Sequence, residues 1–119
     1  MWMIPPNQLC NKHLLGEHGE IHKHRHNFVK QHNITGRIIP VVQIEPTAMK
    51  RRHDELADEM LRRGMNHKSP FEQPDISYLR TELRLAKVNL EISKKDLATR
   101  CTVCEQLIKN NESIKRICN

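Results

Sequence analysis

Leu14, Ile21 and Phe28 recur every seven residues through a stretch, His13 to Phe28, that is otherwise dominated by histidine, glutamate, lysine and arginine. Seven residues is close to two turns of an α-helix. At about 100° per residue the three apolar side chains, with Cys10 beside them, form one core-facing stripe. That stripe commits the N-terminal part of the chain to a core-packed helix and decides where each titratable group on it points. His13, Glu17, Glu20 and His24 fall on an adjacent stripe, spaced four, three and four. His18 and His22 flank the apolar face from its other edge. Lys12, Lys23 and Lys30 line up beyond Glu20, away from the core, with Asn27 between that row and the carboxylates. Pro5 and Pro6 stand just before Asn7, a good N-cap, so the helix is expected from about residue 8 to 32. Gly16 and Gly19 each cost it about 1 kcal/mol against alanine and call for a reason, such as close approach of another backbone or of a ligand.

The rest of the chain reads as short elements. Asn33 to Arg37 is a loop. Ile38 to Pro46 is β-branched and apolar but broken by Pro40, which predicts a buried extended connection or a short edge strand. Thr47 begins a second helix in which Met49, His53, Leu56 and Met60 share one face; Arg62 and Arg63 occupy its last turn and Gly64 its C′ position. Met65 to Asp75 is a Pro-punctuated linker, followed by a turn or short helix around Tyr78 to Leu85. Val88 to Ser93 alternates like a short strand. Ser93 with Asp96 resembles a capping box for a final helix carrying Cys101 and Cys104. The expected fold class is mainly α: a single compact helical domain with a short extended segment and a Cys-containing C-terminal helix. Residues 1–70 form its helical core and 71–119 a C-terminal extension with the CxxC.

A length of 119 residues suits one domain, and 37% apolar residues support a modest core in which Leu, Ile, Val and Met do most of the packing. The net charge is +6 with the histidines neutral, which favours a polyanionic partner, usually nucleic acid, over a merely solvated basic surface. No apolar run approaches the roughly 18 residues of a membrane span, and no secretory signal precedes the first helix, so a cytoplasmic location is expected, that of a host cell if the chain is phage-encoded. Thiols in such a compartment read as free groups or metal ligands before disulfides.

Three readings of the histidine–glutamate stretch compete. It can be a polar helix flank with half-buried imidazoles bonded to neighbours. It can bind a metal, since His18 and His22 form an i, i+4 pair, although no HExxH occurs. Or it can present a catalytic carboxylate in a basic groove. The cysteines are similarly open. Cys101, Cys104 and Cys118, joined by one histidine or by Cys10, could close a tetrahedral zinc site; inert thiols or a redox role are the alternatives.

HLLGEHGEIHK (His13 to Lys23) resembles the first-helix signature of the phage pyrimidine-dimer DNA glycosylases of the endonuclease V type, roughly His-Leu-x-x-Glu-x-Arg-Glu-Leu-x-Arg. MIPPNQL, FVKQHNITGR and KRRHDELADEMLRRGMN are similar, in the same order, to the family's lead-in, basic segment and later helix. The likeness covers about residues 1 to 70 and looks closer still to uncharacterised phage relatives of that family. Gly19 and Lys23 stand where the family has arginines, Trp2 follows Met1 where a small residue is usual, and the family's aromatic C-terminal segment is absent.

The resemblance implies a DNA-repair glycosylase and AP lyase acting on damaged pyrimidines in duplex DNA. The N-terminal α-amine, here of Met1, attacks the sugar C1′ and forms an imine, assisted by Glu20, with His13 and Glu17 as supporting groups. Such an amine is partly neutral near physiological pH, and a carboxylate can stabilise the cationic sugar. Lys12, Lys23, Arg25, Lys30, Arg37, Arg62 and Arg63 would hold phosphates. No cofactor is required for this chemistry; zinc remains possible at the cysteines. The alternative, favoured by Gly19 and Trp2, is a non-catalytic phage DNA-binding accessory protein on the same scaffold, stapled by zinc.

Overall fold

The computed structural model describes residues 1–67 and 70–118, with side chains as far as Asn111. Helices dominate it: α1 (Asn11–Val29), α2 (Met49–Arg62), a single-turn α3 (Thr81–Arg84), α4 (Leu90–Arg100) and α5 (Thr102–Cys118). Three 3₁₀ turns, Pro6–Gln8, Thr35–Arg37 and Pro46–Ala48, link them. Among the described residues there is no strand, and no helix is long and apolar enough to cross a membrane.

The seven-residue apolar period works as expected: Leu14, Ile21 and Phe28 of α1 are buried against Met49, Leu56 and Met60 of α2. Leu97 of α4 and Cys104 and Ile108 of α5 join the same core, as do Met1, Ile4 and Leu9 from the segment ahead of α1. That core holds the first residues of the chain against α1, α2, α4 and α5. α5 closes over the 3₁₀ turn Pro6–Gln8 and packs on α4.

Several local expectations are corrected. Asn7 does not cap α1. Pro6 opens a 3₁₀ turn instead, with the Leu9 N–H on the Pro6 carbonyl, and Cys10 becomes the N-cap. Residues 38–46 run as an irregular connection that buries Ile38 and Ile44, with a cis peptide between Ile39 and Pro40. The Val88–Ser93 segment is not a strand, because no neighbouring strand is there to pair with it. Asn89 accepts the Ile92 N–H at 3.1 Å and caps α4 in place of Ser93. Cys101 is extended (φ −139°, ψ 110°), so the CxxC spans a break between two helices rather than lying within one.

Both long helices ahead of the linker end in the same way. After α2, the Met65 N–H reaches the Met60 carbonyl and the Gly64 N–H reaches Leu61; after α1, the His32 N–H reaches Asn27 and the Gln31 N–H reaches Phe28. This paired pattern needs a left-handed residue at C′, which is Gly64 (φ 80°) in one case and Gln31 (φ 54°) in the other. Gly64→Ala is expected to lower stability by about 1 kcal/mol, while Gln31→Gly, which relieves the same strain, raises it by about 0.5 kcal/mol. Urea denaturation of the two variants measures both.

Candidate active site

The site is built on an ion pair between α1 and α2. Glu17 and Arg52 are both 1% exposed. The Arg52 guanidinium donates through Nε to Glu17 Oε2 (2.5 Å) and through Nη2 to Oε1 (2.9 Å). A buried pair offsets its desolvation only when the geometry is bidentate and the remaining donors and acceptors are used. Here they are used on the chain's own beginning. Arg52 Nη1 donates to the Ile4 carbonyl (2.7 Å), and Glu17 Oε1 accepts the Trp2 N–H (3.1 Å). Glu17 is thus an anchor for residues 2 and 4. Arg52 was not singled out from sequence, although its place on the apolar stripe, three residues after Met49 and four before Leu56, was visible there.

The anchored segment delivers the α-amine of Met1 to Glu20. The ammonium donates to Glu20 Oε1 (3.1 Å) and to the Gln43 carbonyl (2.7 Å). The Met1 side chain is buried, its sulfur accepting the Glu45 N–H, and the Ser93 hydroxyl donates to the Trp2 carbonyl (2.6 Å). His24, one turn beyond Glu20, places Nε2 3.7 Å from the same carboxylate oxygen. Asn27 Nδ2 lies 3.2 Å from His24 Nδ1, and Asn27 Oδ1 lies 3.2 Å from His32 Nδ1. An amide donor on Nδ1 leaves the His24 proton on Nε2, facing Glu20. Burial pushes the Glu20 carboxyl up. The adjacent His24 imidazole and the charge of the amine outweigh it and hold the group at about 2.

Glu20 opens into a groove of about 830 Å³. Gly16 and Gly19 form part of its α1 wall, Val41 and Val42 an apolar side, and Lys23, Arg37 and Arg100 a net cationic rim in which Arg100 pairs with Asp96 (3.3 Å). A Cβ added at Gly16 or Gly19 would meet nothing within 4 Å, so no protein backbone approaches them and the helix surface is open there. A second cavity of about 410 Å³ shares Lys23, His24, Arg37 and Gln43 and extends past Asn33 and Gly36.

The other predicted residues lie elsewhere. His13 faces away toward thiols, with Nδ1 3.1 Å from Cys10 Sγ and 3.6 Å from Cys104 Sγ. Cys10 Sγ lies 3.8 Å from Cys101 Sγ, so the donor atoms of Cys10, His13, Cys101 and Cys104 could hold a metal ion. The Cys118 side chain is outside the described residues. A second set that could do so comprises His18, His22, His53 and His67. Lys12 is exposed on α1 and Lys30 at its C-cap, and Arg25 donates to the Glu72 carbonyl (2.8 Å). Arg62 pairs with Glu59 and stays largely open. Arg63 also bonds Glu59 and donates to the Pro6 and Leu9 carbonyls, which ties α2 to the start of α1.

Arg52→Met leaves the Glu17 carboxylate buried without its partner and is expected to cost about 3–5 kcal/mol; adding Glu17→Leu recovers much of that loss. Urea denaturation of the single and double variants measures both. The Glu20 value, lowered from 4.5 to about 2, makes a stability contribution that is complete above pH 4.5 and is lost as pH falls toward 2. Over that window the wild type should lose its advantage over Glu20→Gln, followed by thermal denaturation.

No curated protein and no solved structure matches the chain. The sequence model of the pyrimidine dimer DNA glycosylase family matches residues 1–73. Those are the residues that bring the amine, Glu17, Glu20 and Arg52 together. The chain belongs to the pyrimidine dimer DNA glycosylase family.

Proposed function

We propose that this protein excises damaged pyrimidines from duplex DNA and cleaves the resulting abasic strand, using the Met1 α-amine as nucleophile and Glu20 as its charged partner. The observation that carries this reading is the 3.1 Å contact between that amine and Glu20 at the floor of a cation-rimmed groove. The ammonium first loses a proton to solvent in the open groove. The nitrogen lone pair then attacks C1′ of the deoxyribose, the glycosidic bond breaks, and the base departs with the bonding electrons and is protonated. A second proton is lost from nitrogen, the C1′–O4′ bond breaks as O4′ takes a proton and an iminium ion forms, and removal of a C2′ proton expels the 3′ phosphate. Glu20 stays anionic beside the cation formed at nitrogen and stabilises it electrostatically.

Glu17 acts in this scheme as a positioning residue through Trp2 and Arg52, and His24 replaces His13 as the imidazole beside the carboxylate. Lys23 and Arg37, with Arg100 from α4, would bind phosphates along the groove. Lys12, Lys30 and Arg62 would extend that field, while Arg25, held over Phe71 and on the Glu72 carbonyl at the opposite edge of α1, and Arg63 serve the fold. The division at about residue 70 then separates the reactive unit from an extension that lends the groove a wall.

The extension also supports the zinc expectation, with the ligand set revised to Cys10, His13, Cys101 and Cys104. Tetrahedral zinc with Zn–S bonds of about 2.3 Å separates two sulfurs by roughly 3.8 Å, and Cys10 and Cys101 stand 3.8 Å apart. The Cys104 N–H on Cys101 Sγ lowers the Cys101 thiol below its usual range, while burial pushes the Cys104 thiol up to about 12, so an ion held there would have to displace that proton.

Borohydride trapping on ultraviolet-irradiated or abasic duplex tests the reaction. The wild type should form a covalent adduct, N-terminal acetylation should abolish it, and Glu20→Gln should slow it by about 10²–10³-fold. Salt-sensitive DNA binding without an adduct would favour the non-catalytic accessory protein. No binding at low salt would defeat both.

A further inference from the structure

Four imidazoles meet on the edge of α1 opposite the groove. His18 and His22 come from α1, His53 from α2, and His67 from the segment after Gly64. One ring nitrogen from each lies within 4.8 Å of the others. His67 Nε2 stands 2.9 Å from His18 Nε2 and 3.2 Å from His53 Nε2, and five of the six ring pairs have centroids 4.7–5.0 Å apart. Phe71 stacks on His53 at 4.7 Å and closes one side with an apolar ring.

Hydrogen bonding alone does not satisfy this cluster. A neutral imidazole nitrogen carries either one proton or one lone pair. His67 Nε2 therefore cannot make two ordinary hydrogen bonds to the nitrogens beside it. His53 Nδ1 faces Asp54 Oδ1 at 3.0 Å, which places the His53 proton there and leaves its Nε2 as a lone pair aimed at the cluster. His22 Nε2 is buried with no hydrogen-bond partner.

We infer that His18, His22, His53 and His67 form a second metal site that binds a divalent first-row transition ion such as zinc through four neutral imidazoles. Zn–N bonds of about 2.0–2.1 Å in a tetrahedron put two nitrogens roughly 3.3 Å apart, close to the 2.9 and 3.2 Å separations found here. One cation accepting the lone pairs removes the conflict at His67 and gives His22 a partner. Asp54 on the far nitrogen of His53 is the outer carboxylate that orients a metal-bound imidazole. Four protein ligands leave no open position, so the role is structural: the ion ties His67, beyond the end of α2, onto the α1–α2 pair. The site shares no residue with the Cys10, His13, Cys101 and Cys104 set or with the groove.

Metal analysis and Co²⁺ titration of the full chain test the inference. The wild type, dialysed against Zn²⁺, is expected to hold two equivalents, and the Cys101→Ser, Cys104→Ser variant one. Titration of the wild type with Co²⁺ should show the thiolate charge-transfer band saturating at one equivalent while visible d–d absorption rises to a second. His67→Gln, at a half-buried ligand, should weaken binding of that second equivalent by about 100-fold or more and leave the thiolate band intact. One equivalent retained in the Cys101→Ser, Cys104→Ser variant and lost on adding His67→Gln would support the imidazole site even if the thiols bind nothing. A single equivalent that always carries the thiolate band, or binding of the second unaffected by His67→Gln, would overturn it.

Discussion

The buried pair of Glu17 and Arg52 is the interaction on which the site depends. A carboxylate and a guanidinium, each almost fully removed from water, are tolerable only because each satisfies the other and then the backbone of residues 2 and 4. An N-terminus is usually the least ordered part of a domain. Here its first amide and a nearby carbonyl are bonded into the interior, its first side chain is core, and its α-amine has nowhere to go but the Glu20 carboxylate and the Gln43 carbonyl. The ion pair converts a free end into a fixed group.

α1 carries different chemistry on its two edges, separated by the apolar stripe that buries it. One edge holds Glu20, His24 and Lys23 toward an open groove, over a helix surface left bare by Gly16 and Gly19. The other edge sends His18 and His22 into an apolar corner closed by Phe71. Glu20 is held ionised by its neighbours while His18 is held neutral by burial and neighbouring imidazoles. The same helix therefore suits electrostatic stabilisation of a cation on one side and ligation of a metal ion on the other. The five histidines between His13 and His26 divide accordingly: one joins the thiols, two the metal corner, one stands beside Glu20, and His26 is exposed.

Much of this was legible from residues. The apolar period of α1, the shared face of Met49, His53, Leu56 and Met60, and Gly64 at C′ all rest on local rules, and all appear in the structure. The start of α1, the Val88–Ser93 segment and the CxxC were misjudged for one kind of reason. In each, two local conformations were close in energy and the surroundings chose. A strand needs a partner that this fold does not provide, and Cys101 leaves the helix where its thiol meets Cys10. Glu17 looked like a companion of Glu20 because the two share a stripe, yet only Glu17 lies under Arg52.

Sequence by itself determined that the chain is helical, that α1 buries one stripe, and that titratable groups border that stripe in a set order, because helical periodicity is a property of neighbouring residues. Tertiary structure alone decided which border is open and which is closed. It brought Arg52 onto Glu17, the first nitrogen onto Glu20, His13 onto Cys104, and His53 and His67 onto His18. Each of these contacts joins residues far apart along the chain, and no local rule reports such a distance.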